Sequence, residues 1–188
     1  MKPEELIAIL QVAGRLKETT RHCFFETGRQ ESVAEHSWRM ALMALLLEDE
    51  LACDMDRVIR MCLIHDLGEA FTGDIPTFQK TNDQRQTEKN RYQAWIDTFP
   101  KKEKQMFQDL ISEMEAQQSV EAKLYKALDR LEAVISHNES SIDTWLPLEY
   151  DLQYTYGQKE VQFSAYLKDL KACIDQWTTK KIETSQSE

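Results

Sequence analysis

Between Leu63 and Ile75 the chain reads LIHDLGEAFTGDI, which sets His65, Asp66, Glu69 and Asp74 among apolar neighbours. Burying a charge is expensive unless it is paired or held against a metal. The segment therefore either ends a helix in water or faces a cation. Two more residues bear on that choice. His36 lies one turn into an apolar helix, where its ring would face the core; a satisfied core histidine is the plain alternative. Asp129, in KALDRLEA, follows Leu128 at the edge of an apolar stripe and shares a face with Ala122, Tyr125 and Ala133. Its small neighbours leave room for a ligand, and the plain alternative is a solvated acid paired with Lys126 or Arg130. Adjacent helical residues diverge by about 100°, so His65 and Asp66 can share an ion only if it sits in the cleft beside their helix.

Helices must position these groups. PEELIAILQVAGRL places Leu6, Ile9, Leu10, Ala13 and Leu16 on one face, with Pro3 in the first turn. RHCFFETGRQ reads as a connecting loop. Ser32 followed by Glu35 is a capping-box signature, and the helix it opens, through MALMALLLEDE, is apolar almost all round and is expected to be central and buried. Asp54 or Asp56 caps the next helix, DRVIRMCLIHDLG, with Gly68 as its stop. TGDIPTF is a turn with Gly73 and Pro76. Helices are expected over 82–98 and 101–116, and SVEAKLYKALDRLEAVISHNE carries the stripe Val120, Leu124, Leu128, Leu131 and Ile135. Trp145 to Tyr156 is an aromatic-rich connection or short helix, Glu160 to Trp177 a final helix, and 178–188 a polar tail expected to fray. The pattern shows no βαβ alternation. The expected fold is all-α, a single domain over residues 1–177.

The whole chain sets limits on partners. Its 188 residues suffice for one domain with a substantial core, and 5 glycines and 4 prolines leave few turns. Lys and Arg number 23 against 33 Asp and Glu, a formal charge of −10 that argues against binding a nucleic acid polymer. A small anion held by a few local cations fits. MKPEELIAIL lacks the basic start and cleavage site of a signal peptide, and no apolar run approaches the roughly 20 residues that span a bilayer. Cys23, Cys53, Cys62 and Cys173 form no CxxC pair, as expected of reduced thiols in a cytoplasmic protein.

His36, the doublet His65-Asp66 and Asp129, in that order, resemble the ligand set of the HD-domain metal-dependent phosphohydrolases, an all-helical superfamily. RLKETTRHCFFETGRQESVAEHS, HDLGEAFTGDIPT and YKALDRLEA are similar to the bacterial 5′-deoxynucleotidase branch and to a eukaryotic HD-domain-containing group. The likeness covers roughly residues 8 to 140. It implies a helical HD-type bundle with one divalent ion on His36, His65, Asp66 and Asp129. Two imidazoles and two carboxylates suit a first-row divalent ion or magnesium (Mn, Co, Zn, Fe or Mg), which can acidify a bound water and polarise a phosphoryl oxygen.

The same likeness makes Glu69 and Asp74 catalytic or substrate-binding acids and sets Arg21 on the substrate phosphate, where a planar guanidinium suits the task. Lys80 and Arg29 are further candidate cations. His22 stands where the bacterial enzymes carry tryptophan, a departure that bears on 2′-deoxy preference and makes it a substrate-facing residue. His137 has no motif around it and reads as a structural or surface residue. The implied activity is release of phosphate from a nucleoside 5′-monophosphate, with a 2′-deoxynucleoside favoured, by a homodimer. Within the same fold the alternatives are hydrolysis of a deoxynucleoside triphosphate, an alarmone or a cyclic nucleotide, and outside catalysis a metal-binding scaffold.

Overall fold

Helix α1 (Pro3–Ala13) opens the chain with Pro3 in its first turn, where a missing N–H has no helical partner to lose. The structure, a computed structural model, describes residues 1–185. Of the expected α1 stripe, Leu16 is buried in the following 3-10 turn and Ile9 and Ala13 pack against the core, whereas Leu6 and Leu10 are exposed. Next come strands β1 (Thr20–Phe24) and β2 (Gln30–Ser32), then helices α2 (Val33–Leu46), α3 (Met55–Ile64), α4 (Asn82–Ile96), α5 (Lys101–Ala116), α6 (Val120–Glu139), α7 (Glu149–Thr155) and α8 (Ala165–Ser185). Among the described residues the fold is all-α apart from that one antiparallel strand pair. Among the described residues no helix is long and apolar enough to cross a membrane.

Local signals start the helices that matter. At α2 the Ser32 hydroxyl accepts from the Glu35 N–H (3.2 Å) while the Glu35 carboxylate accepts from the Ser32 N–H (2.8 Å). Both bonds satisfy donors that the first helical turn would leave open. Asp54 caps α3 through the Arg57 N–H, and Ser119 caps α6 through the Ala122 N–H. Helices α2, α3 and α6 pack on one another around Met40, Ala44, Val58, Met61, Leu124, Leu128 and Leu131. His36 lies on α2, Asp129 on α6, and His65 caps the C-terminal end of α3.

Several expectations are corrected. RHCFFETGRQ is not a loop throughout: its first residues pair with β2, and the turn closes with Gly28 at φ 80°, a left-handed conformation that favours glycine. Helix α2 is buried on one side only. Its outer face leaves Trp38 (62% exposed), Leu45 and Leu46 (72%) in solvent, because α3 and α6 cover just one flank. Helix α3 ends at Ile64, ahead of the expected stop at Gly68, and a 3-10 turn over Leu67–Ala70 follows. The Tyr92 hydroxyl of α4 donates to the Ile64 carbonyl (2.8 Å), capping the freed end. The final helix begins at Ala165 and runs on to Ser185, so residues 178–185 of the expected polar tail are helical; 186–188 lie outside the described residues.

Candidate metal and phosphate site

The early end of α3 shapes the site. His65 still donates its N–H to the Met61 carbonyl (3.0 Å), but Asp66 leaves helical geometry at φ −104°, ψ 14°. That rotation overcomes the divergence of adjacent helical side chains and brings an Asp66 carboxylate oxygen 3.0 Å from His65 Nε2. His36, buried on α2, points its own Nε2 at the same place, 3.3 Å from His65 Nε2 and 3.8 Å from Asp66. One ligand atom from each of His36, His65 and Asp66 fits within a 4.8 Å span. The Asp129 carboxylate of α6 lies 3.5 Å from His36 Nε2 and 4.0 Å from His65 Nε2. Asp129 also accepts from the Lys126 ammonium (2.8 Å), so the surface-type pairing and the inward one coexist.

The tautomers follow from the partners. His65 Nδ1 faces the Cys62 carbonyl at 2.8 Å, and His36 Nδ1 faces the Glu132 carboxylate. Both partners can only accept, so each Nδ1 carries hydrogen and each neutral ring turns its Nε2 lone pair to the other. Two lone pairs and the Asp66 carboxylate then converge, with the Asp129 carboxylate beside them and shared with Lys126. Such a set requires a proton or a metal ion between its members, and its nitrogen and oxygen donors suit a divalent first-row ion. Burial and Arg21 push the His36 ring down, but Glu132 and Asp129 outweigh them and raise it to about 9. Burial opposes ionisation of Asp66, yet His65 and His36 hold its carboxyl down at about 2.

Two further acids stand beside the cluster. Glu69 is buried, and burial together with the carboxylates of Asp66 and Asp74 drives it up to about 10 against the pull of Lys80. Asp74 follows Gly73, which sits at φ 76° and lets the chain turn back over the site. Burial raises the Asp74 carboxyl, Arg21 opposes, and Asp66 adds to the rise. Held up near 10, the Glu69 carboxyl keeps a proton at neutral pH.

All of the residues singled out for the site, Arg21, His22, His36, His65, Asp66, Glu69, Asp74, Lys80 and Asp129, line one cavity of about 340 Å³. Lys80 reaches it already engaged, 3.5 Å from Glu69 and paired with Glu88. Arg29 does not reach it: its guanidinium pairs with Glu35 (2.8 Å) on the surface and lies over the Phe25 ring.

Sequence reasoning missed four contributors. Glu132, wholly buried on α6, binds His36 Nδ1, and Glu31 on β2 pairs with Arg21. His137, expected to be structural or on the surface, lines the cavity wall with Glu149. His137 Nε2 and His22 Nε2 approach Glu149 Oε2 at 3.2 and 3.5 Å, and neither finds an aligned hydrogen bond among the described residues. Burial would raise the Glu149 carboxyl, but His137 and the Leu146 N–H hold it low.

The HD domain family profile matches residues 13–171. The 5′-deoxynucleotidase HDDC2 of Homo sapiens is 30% identical over 138 residues, 71% of this chain and 67% of its own length. The 5′-deoxynucleotidase YGK1 of Saccharomyces cerevisiae is 26% identical over 196 residues, 98% of this chain and 85% of its own. A crystal structure of a predicted metal-dependent phosphohydrolase from Magnetospirillum magnetotacticum MS-1 matches with a TM-score of 0.79 and 26% identity, over 96% of this chain and 92% of its own. With the profile spanning most of the chain and a helical fold that brings His36, His65 and Asp66 together, the protein belongs to the HD domain family.

Proposed function

We propose that the protein is a metal-dependent phosphohydrolase that releases inorganic phosphate from a nucleoside 5′-monophosphate, with 2′-deoxynucleoside substrates. The observation that carries this reading is the convergence of His36, His65 and Asp66, with Asp129 beside them, at the wall of a cavity of about 340 Å³. The relatives named 5′-deoxynucleotidases support the substrate class.

His36, His65, Asp66 and Asp129 would hold the divalent ion. A bound ion of this kind supplies Lewis acidity toward a phosphoryl oxygen and lowers the pKa of water. The chain's own residues do the rest. Arg21 meets the negative charge of the phosphoryl oxygens. Glu69 and Asp74 divide the proton handling: one carboxyl gives a single proton to the departing 5′ oxygen, and the other, ionised, accepts one from the attacking water. The cavity wall of His22, His137 and Glu149 faces the nucleoside end. Four free cysteines support a cytoplasmic location. The exposed Trp38, Leu45 and Leu46 of α2 support a homodimer.

Stripped protein reloaded with Mn, Co, Zn, Fe or Mg should release phosphate from a panel of ribo- and deoxynucleoside 5′-monophosphates. No release from any monophosphate with any of these ions contradicts the reading; release confined to triphosphates, alarmones or cyclic nucleotides reassigns the substrate.

A further inference from the structure

Glu132 lies one turn beyond Asp129 on α6, with no exposed surface. Its carboxylate meets His36 Nδ1, Arg21 Nη1 (3.2 Å), Arg39 Nε (2.7 Å) and the Ser136 hydroxyl (2.8 Å). A carboxylate out of water is tolerated only where donors surround it, and here the donors come from β1, α2 and α6 together. We propose that Glu132 is a positioning residue that couples the divalent-ion ligand His36 to the phosphate-binding Arg21. The inference rests on the functional reading above and goes beyond it by assigning one carboxylate to both halves of the site.

On the His36 side, an acceptor at Nδ1 fixes the tautomer and aims Nε2 at His65. On the Arg21 side, Glu132 and Glu31 both engage the same nitrogen, Nη1. The Nη2 and Nε hydrogens of that guanidinium have no partner among the described residues, which leaves one edge of the fork for an anion. Arg39 and Ser136 complete the cage, since both contact Glu132 and Glu31. Displacing Glu132 therefore disturbs metal ligand and phosphate ligand at once, whereas displacing Glu31 disturbs Arg21 without touching His36.

The test is titration of stripped protein with Mn²⁺, alongside inhibition by inorganic phosphate and the KM for a nucleoside monophosphate. Glu132→Gln puts an amide N–H against donors; it should weaken Mn²⁺ binding by about 10- to 100-fold and also raise KM and the phosphate inhibition constant. Glu31→Gln should shift KM and phosphate inhibition and leave Mn²⁺ affinity at the wild-type value. If Glu132→Gln does not fold, Glu132→Asp keeps the charge with a shorter reach and should show the same double loss. A Glu132 variant with wild-type Mn²⁺ affinity and unchanged KM, whatever its melting temperature, overturns the proposal. Equal loss of Mn²⁺ affinity in Glu31→Gln overturns the division of labour. Wild-type protein that binds no Mn²⁺ overturns the underlying functional reading instead, and the coupling with it.

Discussion

His36 Nε2 stands 3.3 Å from His65 Nε2, while the Nδ1 of each ring is committed to an acceptor elsewhere. Between them a proton and a divalent ion compete. The His36 ring, raised to about 9, is protonated at neutral pH in the ion-free protein. The ion needs the lone pair, so the proton must leave, and apparent affinity rises with pH until about 9. Calorimetric titration with Mn²⁺ at pH 7 in buffers of different ionisation enthalpy should show about one proton released per ion, with affinity falling roughly tenfold for each pH unit lower. Proton-neutral binding would contradict this.

Glu69 separates metal binding from proton handling. It is buried, its carboxyl is driven up to about 10, and it lies 3.5 Å from the Lys80 ammonium. Glu69→Gln should keep Mn²⁺ affinity and lower kcat by about 10²- to 10⁴-fold. A mutant with unimpaired kcat would remove Glu69 from the chemistry.

His22 shares the cavity wall with His137 and Glu149. An indole there would fill more of the cavity, and in the proposed substrate placement it would crowd the sugar. His22→Trp should raise the preference for deoxy- over ribonucleoside monophosphates, read as a ratio of kcat/KM values, by about tenfold, the scale of a single steric contact. An unchanged ratio would place the sugar elsewhere in the cavity.

The helices that hold the site were legible from the sequence because their signals are local. The Ser32–Glu35 box, the Ser119 cap and the Leu124, Leu128, Leu131 stripe each act within a few residues. The doublet His65-Asp66 and the acids after it were legible for the same reason. Glu132 was not, because its partners Arg21, His36 and Arg39 lie more than 90 residues away in sequence. A signal existed: Glu132 falls four residues after Leu128, inside the apolar stripe, where an unpaired acid would be expelled. His137 and Glu149 meet only after the chain turns at the end of α6. The strand pair escaped because five short residues of mixed polarity give no clear alternation.

Away from the site, Lys171 of α8 is buried and donates to the carbonyls of Gln153 (3.0 Å) and Tyr154 (3.1 Å) on α7 while pairing with Asp175. Lys171→Ala strips all three acceptors at once. It should cost about 3 kcal/mol of stability and lower the melting temperature by roughly 10 °C, with kcat of the folded fraction unchanged. A melting temperature within a degree of wild type would show that water replaces the ammonium.

The central claim is that side chains from α2, the end of α3 and α6 grip a single divalent ion. Equilibrium Mn²⁺ binding to stripped wild-type, His65→Ala and Asp129→Ala protein tests it most directly. The expected result is one ion per wild-type chain and loss of tight binding in both variants. An Asp129→Ala protein that still takes up one ion with wild-type affinity, or a wild-type chain that takes up none, would contradict it.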